Sequence, residues 1–187
     1  DTCGDKMFEQ LEAGRDVLLL YRERATRHLV DREATIGTYS FRATWDRFKP
    51  VIWDRGTNYG GLINNQDALR FVPNDGITDL QFYHLVEDSD KIVLDDFPVK
   101  VVPIFEGIDK CTRDRFDAYS FFFNLPELMP DRTLRNFGYL FELRVGKGRL
   151  LVSGLNFTGL GVHTPETCAM FESLLAYAKS DQFRPIA

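Results

Sequence analysis

Three residue types that often reveal a special architecture are scarce here. Cysteine occurs three times in 187 residues, as Cys3, Cys111 and Cys168. They are far apart and form no C-x-x-C pair, which argues against a disulfide scaffold or a cysteine zinc site and leaves at least one thiol without a partner inside the chain. Histidine also occurs three times, and His28, His84 and His163 fit neither H-x-x-x-H nor H-E-x-x-H, so no metal and no cofactor is expected. The 8 prolines are dispersed and make no linker. Long apolar runs are missing too. The longest, residues 17–21 and 120–123, are strand-length and far short of the roughly 20 residues a membrane helix needs. Neither sign of charge is gathered: 28 acidic side chains face 23 basic ones for a net of -5, with no basic stripe to grip phosphates, so a nucleic-acid partner is not expected.

What is present reads as a folded domain. Hydrophobic residues make up 44% of the chain, enough for a real core at this length, and no repeat or low-complexity segment divides it. One α/β domain over residues 1–187 is therefore expected. Because the chain opens on Asp1 without an apolar leader, it reads as part of a longer polypeptide.

The local signals favour α/β. Residues 5–13 carry Met7, Phe8 and Leu11 on one helical face and close on Gly14, the residue that most easily adopts a left-handed helix end. A Val-Leu-Leu-Leu run follows at residues 17–20, as expected of a strand covered on both faces of a sheet with parallel pairing. Residues 22–81 are less regular and suggest long loops around short elements. Strands are predicted at 91–94, 100–105, 138–145 and 149–155. The last two should form a hairpin through Gly146-Lys147-Gly148. A final helix is announced by Thr164 as cap, Pro165 at the first helical position and Glu166 near the positive end of the dipole. Its apolar spacing predicts a core face of Phe171, Leu174, Leu175 and Ala178.

Chemistry is harder to find. No G-x-S-x-G string presents a serine nucleophile; Ser153-Gly154 comes nearest, without the preceding glycine, and reads as the end of a strand. Cys168 falls within the final helix and reads as a packing residue. The glycine-containing run 154–161 lacks both G-x-G-x-x-G spacing and a Lys-Ser/Thr ending, so it reads as a turn. Of the acids, Glu106 and Glu142 occupy or follow strands, where a carboxylate could face a cleft. If the domain is an enzyme in its own right, the best available set is Glu142, His163 and Glu166, the last two spaced so that a carboxylate could orient an imidazole. Without a nucleophile the plainer reading is a loop histidine beside a helix-entrance glutamate. The catalytic assignment is therefore none.

A second signal is aromatic. Trp45, Trp53, Tyr59, Phe82 and Tyr83 stand among Asn, Asp and Gln, a mixture on which sugar rings can stack while their hydroxyls are hydrogen-bonded. The same side chains would equally serve a domain interface or a core.

The order of segments then becomes familiar. Phe48-Lys49-Pro50-Val51-Ile52-Trp53, Gly60-Gly61-Leu62-Ile63, Ala68-Leu69-Arg70-Phe71-Val72-Pro73-Asn74-Asp75-Gly76 and Asp79-Leu80-Gln81-Phe82 resemble the C-terminal accessory region of large Bacteroidetes proteins of glycoside hydrolase family 2, the β-galactosidase-like or sugar-binding group. Leu140-Phe141-Glu142, Val145-Gly146-Lys147-Gly148-Arg149 and the ending Ser173-Leu174-Leu175-Ala176-Tyr177 to Phe183-Arg184-Pro185 extend the likeness over nearly the whole chain. The resemblance implies a flavodoxin-like sheet with flanking helices, of the class I glutamine-amidotransferase-like kind, ending in a β-hairpin and a helix. Active amidotransferases of that class use an elbow cysteine with a downstream His and Glu one residue apart. Here the elbow cysteine is absent and the His163 to Glu166 interval differs. Where the family commonly has His-Pro before Ala-Leu, this chain has Gln66-Asp67. The resemblance thus implies a periplasmic or secreted accessory domain whose partners are other domains of the same polypeptide, or polysaccharide, while the glycosidase carboxylates reside in a separate barrel.

Overall fold

The computed structural model describes residues 5–21, 31–36, 39–44, 61–86, 89, 91–94, 97, 99–107, 136–157 and 163–185. Among the described residues eight strands share one mixed sheet: β1 (Asp16–Leu20), β2 (Asp31–Ile36), β3 (Tyr39–Thr44), β4 (Gly61–Ile63), β5 (Lys91–Val93), β6 (Phe105–Gly107), β7 (Phe137–Val145) and β8 (Gly148–Ser153). Three α-helices accompany them among the described residues: α1 (Asp5–Glu12), the single turn α2 (Tyr83–Val86) and α3 (Pro165–Ala178). The architecture is α/β, as expected.

The long strand β7 is the hub. Its first residues pair with β5 on one side and β6 on the other, and its remainder runs antiparallel to β8. Beyond β8 lies β1, the one parallel neighbour among the described pairs, with Leu18 opposite Leu151. Beyond β5 lie β3 and β2, and β4 attaches through β6. The unbroken apolar run of residues 17–20 therefore sits in a parallel pair, as its composition implies. The segment read as long loops around short elements holds the two six-residue strands β2 and β3 and the three-residue β4. The strand predicted at 100–105 instead begins at Phe105 and continues to Gly107, because Pro103 has no N–H to contribute to a ladder.

The two sheet faces carry separate cores. On one, Leu11 of α1, with Met7 and Phe8, packs over Leu19, Phe141, Leu143, Val145, Leu150 and Val152. On the other, Met170, Leu174 and Tyr177 of α3 cover Leu140 and Leu151, and the 61–86 segment extends that layer through Leu69, Phe82 and Leu85. A helix on each face is what two apolar sheet surfaces require. The hairpin turn forms at Gly146, whose φ of +60° is the left-handed conformation expected there.

The final helix begins as predicted. Thr164 is its cap, and the Thr164 hydroxyl accepts from the Thr167 amide at 3.3 Å. Its inward face differs from the apolar reading. Thr167, Met170, Ser173, Leu174 and Tyr177 are buried, whereas Phe171 and Leu175 remain 36% and 37% exposed. The polar members of that stripe can be buried because each is satisfied. The Ser173 hydroxyl donates to the Ala169 carbonyl and accepts from the Phe71 amide, and the Tyr177 phenol donates to a carboxylate.

Candidate functional site

Period-two alternation turns Leu140, Glu142 and Arg144 of β7 toward the α3 side, opposite Ser153, Leu151 and Arg149 of β8. Glu142 is thus a half-buried carboxylate beside Leu140 and Leu151, on a face it shares with Arg144 and Arg149. The Tyr177 hydroxyl donates to Glu142 Oε2 at 2.8 Å. Asn65 Nδ2 donates in turn to the same phenolic oxygen at 3.1 Å, and the Gln182 carbonyl lies 3.3 Å from it. Tyr177 therefore joins three stretches of chain far apart in sequence: β7, the residues after β4 and the segment after α3.

Asn65 is held in place by its own backbone role. It caps the one-turn 3-10 helix Gln66–Leu69, its Oδ1 accepting from the Asp67 amide at 3.0 Å, so its amide nitrogen is left facing Tyr177. Next to this hub, Arg149 binds Asp16 through Nε at 2.6 Å and Nη2 at 2.5 Å. Its remaining Nη1 donates to the Phe183 carbonyl, and the guanidinium carbon lies 4.9 Å from the centre of the Phe183 ring.

The electrostatics follow from these contacts. Burial raises the Glu142 pKa above the ordinary 4.5, although the Tyr177 bond and the Arg149 charge both pull it down. Burial, followed by the bond to Glu142, pushes the Tyr177 phenol far up, so it stays protonated and remains a donor. The Asp16 bond holds Arg149 charged, against a smaller opposing effect of burial. The cluster can therefore hold a proton on a carboxyl and present a phenol beside it. It contains no serine, threonine or cysteine nucleophile.

The alternative set of Glu142, His163 and Glu166 is not brought together. Glu142 meets Tyr177 at the C-terminal end of α3, whereas His163 is exposed just before that helix and Glu166 stands in its first turn. Glu166 and Tyr177 are eleven helical positions apart, about 16 Å along the axis. The three cannot converge on one substrate atom. Ser153 is fully buried at the end of β8, consistent with its reading as an ordinary strand residue. Cys168 is exposed and so is not the packing residue expected. Among the described residues no cluster of three His, Cys, Asp or Glu side chains is placed to share a metal ion.

Of the aromatic set, Trp45, Trp53 and Tyr59 lie outside the described residues. Phe82 is wholly buried against Phe105, with ring centres 5.8 Å apart, so it cannot stack on a sugar. Tyr83 is half-buried with its ring edge-on to His84 at 5.0 Å. Sequence reasoning missed Tyr177, Asn65, Arg149 and Asp16 as site members. The available signal was a tyrosine three residues after Leu174, at core spacing but with a hydroxyl that needs a buried partner.

A domain of unknown function, DUF8487, has a family model that matches residues 1–124 and 131–187. The chain belongs to the DUF8487 family. No curated protein matches it. The Glu142–Tyr177 hub of this DUF8487 chain lies wholly within the matched residues, as do both cores described above. No helix among the described residues of the DUF8487 chain is long and apolar enough to cross a membrane.

Proposed function

We propose that this DUF8487 chain is a non-catalytic accessory domain of a larger glycan-degrading polypeptide, secreted or periplasmic, that packs on a neighbouring domain. The observation that carries the reading is the use made of Glu142. The half-buried carboxylate best suited to acid–base work is tied into a packing hub, about a helix length from the other candidate groups. Flavodoxin-like ancestry of the class I glutamine-amidotransferase kind fits the parallel β1–β8 pair flanked by α1 and α3, with the antiparallel strands as an elaboration of it.

Packing on a neighbour is favoured by the outer surface near β4. Leu62 bridges to Ile77, and these two residues and the nearby Leu80 are 38%, 57% and 87% exposed. Apolar side chains gathered at that level of exposure are more typical of an interface than of a free surface. The occupant we assign is the adjoining domain of the same polypeptide. Calorimetric titration of this chain with that domain, expressed separately, tests it. Leu80→Asp and Ile77→Asp should each weaken binding at least about tenfold while leaving the circular dichroism unchanged. Unaltered affinity in both variants would remove this surface from the interface, and saturable binding of polysaccharide by the isolated chain would shift the role toward holding glycan.

A further inference from the structure

Beyond β4 the sheet gains one more rung. The Ile63 N–H donates to the Gly76 carbonyl at 2.8 Å and the Thr78 N–H to the Gly61 carbonyl at 3.1 Å. These two bonds bracket the Leu62–Ile77 bridge and lay residues 76–78 antiparallel beside β4. Gly61 lets the backbones close up, since a Cβ there would stand 2.5 Å from the Phe105 ring and 2.8 Å from Thr78 Cγ2. Because the bonds flank the Leu62–Ile77 pair rather than join it, the Ile77 N–H and carbonyl point away from β4. Among the described residues neither has a hydrogen-bond partner, so they form an open sheet edge.

The surface beside that edge is apolar with an acidic rim. Glu106, Leu62 and Ile77 are cross-strand neighbours in one row, and so share a side of the sheet. Leu62 and Ile77 are exposed, as is Leu80 just beyond them. Asp75 and Asp79 stand exposed two residues to either side of Ile77, and Glu106 accepts from the neutral Asn64 amide at 3.0 Å. Among the described residues no cation meets any of these three acids. Arg70, the one Lys or Arg in residues 61–86, reaches the Asp67 carbonyl and Gln182 instead.

We propose that the adjoining domain docks here by strand addition, laying along the Ile77 edge an extended segment whose apolar residue faces Ile77 and whose flanking residues are basic. The inference rests on the accessory reading above and adds the chemistry of the partner to it. An extended chain offers a carbonyl and an N–H in register with those of Ile77, which a helix surface does not. Every second side chain of such a segment falls on the face of Leu62 and Ile77. An apolar one there covers Ile77, and basic ones two positions to either side come within reach of Asp75, Asp79 and Glu106. The acidic rim thus selects a cationic strand and repels an acidic one.

The probe is a blocked synthetic peptide, Thr-Lys-Thr-Val-Thr-Lys-Thr, titrated into the whole 15N-labelled chain at low salt. Amide signals of residues 61–64 and 75–80 should shift and saturate, and exchange of the Ile77 N–H should slow as the site fills, because that group gains an acceptor. Replacing both lysines of the peptide by glutamate should weaken binding at least about fivefold, and added salt should weaken the lysine peptide. N-methylation through the centre of the peptide should abolish binding. Asp75→Asn and Asp79→Asn should each weaken it about threefold, the second retaining the oxygen that caps the Gln81 amide. The wild-type titrations need no variant. No response to the lysine peptide, equal binding of the glutamate or N-methylated peptide, or unchanged Ile77 exchange at saturation would each overturn the proposal. Self-association of the chain that Ile77→Asp abolishes, with no response to any peptide, would give the edge to a second copy and overturn it as well. The calorimetric titration with the adjoining domain separates the two levels. If that domain binds and Ile77→Asp weakens it while the peptides fail, strand addition falls and the accessory reading stands; if it does not bind at all, the reading itself falls.

Discussion

Arg149 lies directly across the parallel β1–β8 pair from Asp16 and takes both oxygens of its carboxylate, at 2.6 and 2.5 Å. The two residues are 133 positions apart in sequence, so the pair joins the first and last of the described strands. The same guanidinium stacks on Phe183 and binds its carbonyl. Both side chains are about a third exposed, which limits the value of the ion pair itself.

Arg149→Met should therefore cost more than Asp16→Asn. About 1–2 kcal/mol is expected for the first, which loses the fork, the stacking and the carbonyl cap, and about 0.5 kcal/mol for the second. Urea unfolding of both variants checks the order. Arg149→Lys should fall between Asp16→Asn and Arg149→Met, since an ammonium keeps the charge without the planar fork.

The hairpin supplies a contrast between two glycines two residues apart. A Cβ on Gly148 would stand 2.5 Å from the Arg15 carbonyl oxygen and 2.7 Å from that of Leu11, both backbone atoms that cannot swing aside. A Cβ on Gly146 would only touch the Glu12 Cα and the Leu11 carbonyl oxygen at an ordinary 3.9 Å, but the residue has a φ of +60°. Gly148→Ala should cost at least about 2 kcal/mol and disturb the α1–β8 contact, whereas Gly146→Ala should cost about 1 kcal/mol of backbone strain. Equal costs in thermal unfolding would contradict the close approach of α1.

Glu142 makes an unusual pH prediction. Because burial raises its folded pKa above 4.5, the folded chain binds this proton more tightly than the unfolded chain does. Its contribution therefore favours folding below the unfolded value and is lost as pH rises through the folded one. Glu142→Gln should match the wild type near pH 4 and exceed it at pH 7 by under about 1 kcal/mol, since part of the side chain remains in water. Tyr177→Phe should lose about 1–2 kcal/mol at pH 7, leaving both Glu142 and the Asn65 amide without their bond. Denaturant titrations at the two pH values decide both.

Local signals in the sequence placed much of the fold. Gly14, the apolar run at 17–20, the Gly146-Lys147-Gly148 turn and the Thr164-Pro165 start each specify an element by chemistry within a few residues, and each element stands where they put it. The inward face of α3 was not legible from hydropathy, because Thr167, Ser173 and Tyr177 are buried by virtue of partners elsewhere in the chain. The hub was hidden for the same reason. Asn65 and Tyr177 are 112 residues apart, and no local spacing announces their meeting. Phe82 shows the converse: its polar neighbours left sugar contact, an interface and the core open, and the structure places it in the core, wholly buried.

The accessory role is tested most directly by turnover. The purified chain and Glu142→Gln can be incubated with chromogenic β-galactosides and a panel of other aryl glycosides, and release of the aryl group followed. The account predicts a rate equal to buffer for both proteins, because the carboxylate that could act is held in a packing hub by the Tyr177 phenol, away from His163 and Glu166. Glycoside cleavage by the wild-type chain that disappears in Glu142→Gln, with the fold intact, would contradict it.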